Sequence, residues 1–141
     1  MAGYSGTPLT KKLGIKAGHH VALVNAPSDF EATLDDLPLD VTLARNFGTQ
    51  KTAFDVFVCF VKDVKELRSS FPACAKRLVS NGGLWVAWPK KASGVATDVT
   101  ESVVRTFGLD QGLVDNKICA IDETWSGLRF VVRVQDRPAR K

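Results

Sequence analysis

The chain has 141 residues, 45% hydrophobic and 24% charged, with a net charge of +4 from 19 basic and 15 acidic side chains. That is too apolar for disorder, long enough for one core and too short for two, so a single α/β domain over residues 1–141 is expected. With no run of about 18 apolar residues and no charged-then-apolar leader, neither a membrane span nor a secretory signal is expected.

In chain order, Thr7-Pro8 opens a short helix, with threonine as N-cap, proline at the first helical position and Gly14 as the stop. Residues 20–24 (HVALV) form an apolar run of strand length, ended by Asn25-Ala26-Pro27. Ser28 and Glu31 have capping-box spacing and predict a second short helix that stops near Pro38. Residues 41–47 alternate weakly and read as an edge strand. Residues 54–61 (FDVFVCFV) are apolar except for Asp55, as befits a strand covered on both faces. Asp63 and Glu66 repeat the capping pattern and start a helix running toward Asn81-Gly82-Gly83, with a kink or a split at Pro72.

Residues 84–88 (LWVAW) give another buried strand, and residues 89–94 a loop. Thr97 or Asp98 is expected to cap the next helix, which ends near Gly108. Residues 112–121 and 128–134 close the chain as two strands joined at residues 122–127. Strands alternating with helices mean a three-layer α/β fold, here a mostly parallel sheet of about six strands with an antiparallel terminal strand.

Two resemblances add to this reading. Leu13-Gly14-Ile15-Lys16-Ala17-Gly18-His19 and Leu78-Val79-Ser80-Asn81-Gly82-Gly83-Leu84-Trp85-Val86 resemble segments of S-adenosylmethionine-dependent methyltransferase folds, as does the terminal strand pair. The resemblance implies a Rossmann-like sheet of order 2-1-3-6-4-5 or 2-1-3-4-6-5 along this chain. The second is preferred, with the last strand beside the fourth. The sequence departs from that pattern where the cofactor would sit. Asn25-Ala26-Pro27-Ser28 replaces the glycine-rich turn, Arg45-Asn46-Phe47 replaces the acidic end of the second strand, and residues 47–54 are too few for the usual helix–strand–helix. The implied relative is shortened, its cofactor pocket has lost its parts, and its own cofactor is unknown.

The second resemblance covers nearly the whole chain. The strings at residues 4–9, 21–27, 85–94 and 122–130 look like those of a family of small bacterial proteins of unknown function. It implies no activity.

Ligands of open α/β sheets bind beyond the carboxyl ends of the strands. Three loops are expected there: Asn25 to Ser28, the Asp63 turn, and residues 89–100. Lys90, Lys91 and Ser93, ahead of a helix start with Thr97, favour an anion such as a carboxylate or phosphate, with Asn25 and Trp88 as further walls. The competing reading makes Lys90 and Lys91 an exposed pair and Thr97, Asp98, Thr100 and Glu101 ordinary caps; the two acids would repel an anion.

Asp122 and Glu123 beside Trp125 read more simply as salt-bridge partners of Arg129 or Arg133 than as an acid–base pair. Trp85 and Trp88, three apart on a strand, face opposite layers, with Trp85 in the core. His19 and His20 lie at the amino end of the first strand, away from the expected crevice. No Walker loop, EF-hand or HExxH pattern occurs.

Charge runs in blocks, +3 over residues 1–20, −4 over 21–66, +4 over 67–109 and +1 over 110–141. No Lys/Arg stripe follows one element and Arg137, Arg140 and Lys141 read as a solvated end, which argues against nucleic acid. Cys59, Cys74 and Cys119 form no CxxC pair and read as reduced, buried thiols of a cytoplasmic protein. Zinc would need four close ligands.

The expected function is therefore a non-enzymatic module for an anionic small molecule. The alternatives are a protein-interaction domain pairing through the edge near residues 41–47, or an enzyme whose reaction no residue set names. Homo-oligomerisation stays open.

Overall fold

The computed structural model describes residues 8–34, 36–46 and 53–136. One six-stranded sheet organises them: β1 (His20–Val24), β2 (Thr42–Arg45), β3 (Phe54–Phe60), β4 (Leu78–Pro89), β5 (Leu113–Ala120) and β6 (Trp125–Val132). The spatial order is β2-β1-β3-β4-β6-β5, the preferred of the two orders expected from sequence. β1 pairs in parallel with β2 and β3, and β3 in parallel with β4. β6 runs antiparallel to both β4 and β5. This is a three-layer α/β fold, with the sheet order that the resemblance implied.

Alternation along the strands builds two cores. Phe57, Cys59, Leu84, Val86 and Trp88 face α3 (Val64–Ala75) and α4 (Glu101–Asp110), packing with Phe71, Val104 and Phe130. Val58, Phe60 and Trp85 face the other way, onto α1 (Leu9–Lys12) and α2 (Phe30–Thr33), through Leu13 and Phe30. Trp85 is fully buried and its indole N–H donates to the Leu13 carbonyl at 3.0 Å, so the polar edge of a core ring is satisfied.

Several local expectations change. Thr7 lies outside the described residues, and Pro8 sits at the N-cap of α1 rather than inside it. Gly14 follows in the left-handed conformation, φ 79°. The Ser28–Glu31 capping box does not form. Phe30 N donates to Pro27 O, Asp29 holds the N-cap without a side-chain bond, and the Glu31 carboxylate turns to Arg45. Arg45 is the stronger partner for a carboxylate, because a guanidinium offers two parallel charge-assisted bonds.

The helix begun at Asp63 ends at Ala75, not near residue 81, and it is one helix through Pro72 rather than two. Leu78 to Gly83 belong to β4. Gly82 and Gly83 lack the positive φ of a helix stop. They serve close packing instead: a Cβ on Gly82 would lie 2.5 Å from the Asp55 carbonyl, and one on Gly83 would collide with the Arg129 guanidinium.

Thr100, not Thr97 or Asp98, caps α4, its hydroxyl accepting from Val103 N. The edge strand is confirmed over Thr42–Arg45, and Phe47 lies outside the described residues. The last two strands are Leu113–Ala120 and Trp125–Val132, within a few residues of the expected bounds.

Candidate functional site

Three loops do lie at the carboxyl pole, after β1, β3 and β4. At the end of β3, Asp63 caps α3 by accepting from Glu66 N, and the Glu66 carboxylate accepts from Lys62 N. The loop after β4 folds over this turn: the Thr97 hydroxyl donates to Lys62 O, and Asp98 Oδ1 accepts from Val64 N at 2.9 Å. Asp98, expected to start α4, thus caps the neighbouring helix α3. Val64 N and Glu66 N of α3 have acceptors from the protein itself, so that helix start is not an open anion cradle, and in α4 Val103 N is taken by the Thr100 hydroxyl.

What the third loop does create is a hollow of about 630 Å3 beside the end of β4. A one-turn 3-10 helix, Lys91–Ser93, begins straight after the strand, and Gly94 closes it at φ 78°. Lys90 N donates to Thr124 O, which ties the loop to the β5–β6 turn. This tight turn brings the neighbouring lysines Lys90 and Lys91 to the same hollow, where Trp88, only 6% exposed, forms a wall. Thr97, Thr100 and Ser126 contribute hydroxyls; Val95 and Ile118 contribute exposed apolar surface. Glu101 also borders it, with its charge offset by Arg105 at 2.7 Å. Among the described residues neither Lys90 nor Lys91 makes an ion pair.

Of the six residues expected to bind ligand, Trp88, Lys90, Lys91 and Thr97 therefore meet at one hollow. Ser93 is turned inward: its hydroxyl donates to Lys90 O at 2.6 Å and accepts from Val95 N. It positions Lys90 and does not line the hollow. Asn25 is at the same pole but points elsewhere, its amide donating to Phe60 O and to Ser70 Oγ. Thr100, Ile118 and Ser126 were missed by sequence reading, and the last two had no local signal because sheet register alone brings them to the site.

The carboxyl end of β1 is built differently. Asn25 adopts the left-handed conformation, φ 57°, which glycine takes most easily and asparagine tolerates. Its side chain then occupies the gap between β1 and β3. Arg45, ending β2, grips the same turn: Nη1 donates to Ala26 O at 3.1 Å, Nη2 to Pro27 O at 2.6 Å, and the guanidinium forms a two-point ion pair with Glu31 at 2.6 and 2.7 Å. The Arg45 hydrogen bond holds the Glu31 carboxyl below its ordinary range, and the same bond raises Arg45.

The other expected clusters resolve structurally. Asp122 Oδ1 accepts from Thr124 N and Trp125 N, each at 2.8 Å, which shapes the turn, while Arg129 donates to Asn116. Trp125 packs edge-on against Phe60. Cys59 and Cys74 are buried together; a hydrogen bond to Cys59 and then burial push the Cys74 thiol well above its ordinary range. Cys119 is half-buried rather than buried, and its thiol is raised by burial and lowered by Lys12 and Lys117. No helix among the described residues is long and apolar enough to cross a membrane.

No protein-family model matches the chain, and no curated protein matches it. Solved structures do match in fold. A ribosomal protein methylase from Lactobacillus delbrueckii subsp. bulgaricus superposes with TM-score 0.59 at 12% identity over 89% of this chain and 75% of its own. A SAM dependent methyltransferase from Aquifex aeolicus gives 0.59 at 14% identity, covering 89% and 88%. Fibrillarin from Aeropyrum pernix, with natively bound S-adenosyl-L-methionine, gives 0.56 at 12% identity, covering 92% and 70%. At these identities the likeness is one of fold, and function has to be argued from the site.

Proposed function

We propose that the protein is a single-domain, non-enzymatic module that binds an anionic small molecule in the hollow at the end of β4. The reading rests on one observation: Lys90 and Lys91 both border this hollow with Trp88, and neither has an ion-pair partner among the described residues. Two ammonium groups supply the charge, the Thr100 and Ser126 hydroxyls give hydrogen bonds while Thr97, its proton held by Lys62 O, shapes the wall, and the indole with Val95 and Ile118 takes an apolar body. A carboxylate or phosphate carried on an aromatic or aliphatic frame suits that lining. Three free cysteines fit a reducing compartment, and the reading includes a cytoplasmic location.

S-Adenosylmethionine is not the ligand in this reading, because the residues after β1 and β2 do not fit it. The Asn25 amide occupies the β1–β3 gap, and the turn it would lie against is gripped by a cation, Arg45, where a ribose would need an acidic acceptor.

The test is a calorimetric and thermal-shift screen of aromatic and aliphatic carboxylates and phosphate esters. A cognate ligand raises Tm, and Lys90→Ala/Lys91→Ala weakens it at least tenfold, about 1.4 kcal/mol, the order of one charge-assisted bond. A full panel without effect, or a hit that the double variant still binds equally, removes the reading.

A second reading, a protein-interaction domain, is favoured by the edge position of β2 beside Leu39, which is 82% exposed. Self-association lost on Leu39→Glu would support it, and a concentration-independent monomer would count against pairing of two copies.

A further inference from the structure

The opposite pole of the sheet carries another cleft, which the reading above does not use. It encloses about 350 Å3 at the amino ends of β1 and β3 and is lined by Lys12, Lys16, His19, Asp55, Lys117 and Arg129. These side chains come from α1, the loop after it, β3, β5 and β6. Gly83 to Lys90 spans seven strand steps, so the two sites lie roughly 23 Å apart along β4.

Among the described residues, four cations and one carboxylate line this cleft. Asp55 already accepts from His20 N at 2.8 Å, and Lys12, Lys16 and Lys117 make no ion pair among the described residues. Like charges gathered around a concave wall repel one another and raise the local potential for an anion. Arg129 is held in place: Nη1 donates to Asn116 Oδ1 at 3.3 Å, and its guanidinium lies over Gly83, where any Cβ would collide with it. His19 Nδ1 accepts from Lys16 N at 3.1 Å. In the neutral ring this leaves Nε2 to carry the hydrogen and act as a donor.

We propose that this cleft binds a small, multiply charged phosphate compound of the pyrophosphate class. Three ammonium groups on flexible stems close around a compound that carries more than one negative charge, with the Arg129 guanidinium adding its field beside them. A singly charged carboxylate answers only one of the three ammonium groups. A nucleic-acid backbone calls for a basic track along the surface, whereas these cations converge from separate segments on a concave space at the small end of ligand-site volumes, about 300–1,000 Å3.

Isothermal titration of the full chain with sodium pyrophosphate, at fixed ionic strength and beside sodium sulfate, tests it. The expected result is saturable one-to-one binding at least tenfold tighter than sulfate, lost by tenfold or more in Lys12→Ala/Lys117→Ala and kept in Lys90→Ala/Lys91→Ala. Wild-type protein that binds pyrophosphate no better than sulfate overturns the proposal, however the variants fold. So does undiminished binding in a Lys12→Ala/Lys117→Ala protein with wild-type Tm, or retention of a duplex DNA without any pyrophosphate affinity.

Discussion

At Asn25 backbone and side chain act together. The left-handed φ of 57° makes the turn after β1, and the amide spans to Phe60 O and Ser70 Oγ. Glycine can keep the turn but loses both bonds; alanine loses both and must also hold a strained backbone. With a net worth of about 1 kcal/mol per neutral hydrogen bond and a further 1 kcal/mol or so for a non-glycine residue in this region, Asn25→Ala is expected to destabilise more than Asn25→Gly. Urea unfolding of the two variants decides it, and the reverse order would show that the amide's bonds and the φ strain are not what matter there.

Glu31 gives a pH-dependent counterpart. Its carboxyl is held below the ordinary value of 4.5 by Arg45, so the folded state favours the ionised form. The stability from the pair is therefore fully present above about pH 4.5 and is lost as pH falls through the lower folded value. Glu31→Gln should lower Tm near pH 7, with the gap to wild type closing on acidification below pH 4.5. A gap constant from pH 7 to 3 would mean that charge is not what Arg45 recognises.

At the scale of elements, what was legible followed apolar continuity. Residues 20–24 and 54–60 stand out because parallel strands covered on both faces need uninterrupted apolar side chains. The boundary between α3 and β4 was not legible: Asn81-Gly82-Gly83 has the composition of a helix stop, and only the approach of Asp55 and Arg129 shows that its glycines make room within a strand. Thr97, Asp98 and Thr100 are all capping types, and local sequence does not distinguish which helix each serves. The site shows the same division. Trp88, Lys90, Lys91 and Thr97 share one short stretch and could be read together, whereas Ile118 and Ser126 meet only through β5–β6 pairing, as do Lys117 and Arg129 of the amino-pole cleft, to which packing of α1 and its loop adds Lys12 and Lys16.

Asp98 supplies the element-scale prediction. Because it accepts from the first amide of α3, Asp98→Ala should cost about 1 kcal/mol, as loss of an N-cap does. Asp98→Asn, which keeps an acceptor oxygen, should cost less. Chemical denaturation measures both, and equal losses would point to charge rather than the hydrogen bond.

For the whole molecule, sheet order sets a gradient of stability. Residues 56–60 of β3 and 84–88 of β4 are buried on both faces and bonded on both sides, whereas β2 and β5 are edges with exposed positions. Opening an edge strand exposes little apolar surface; opening β3 dismantles both cores at once. Amide exchange should therefore be slowest in β3 and central β4, at the free energy of global unfolding, and fastest in β2, where opening is local. The measurement also weighs the two functional readings. If Leu43 and Ala44 exchange as slowly as Val58 does, and lose that protection on dilution, β2 is covered by a second chain and its exposed side is a pairing surface. Fast exchange at every concentration leaves β2 a free edge and places binding at the poles of the sheet, where the lysines gather.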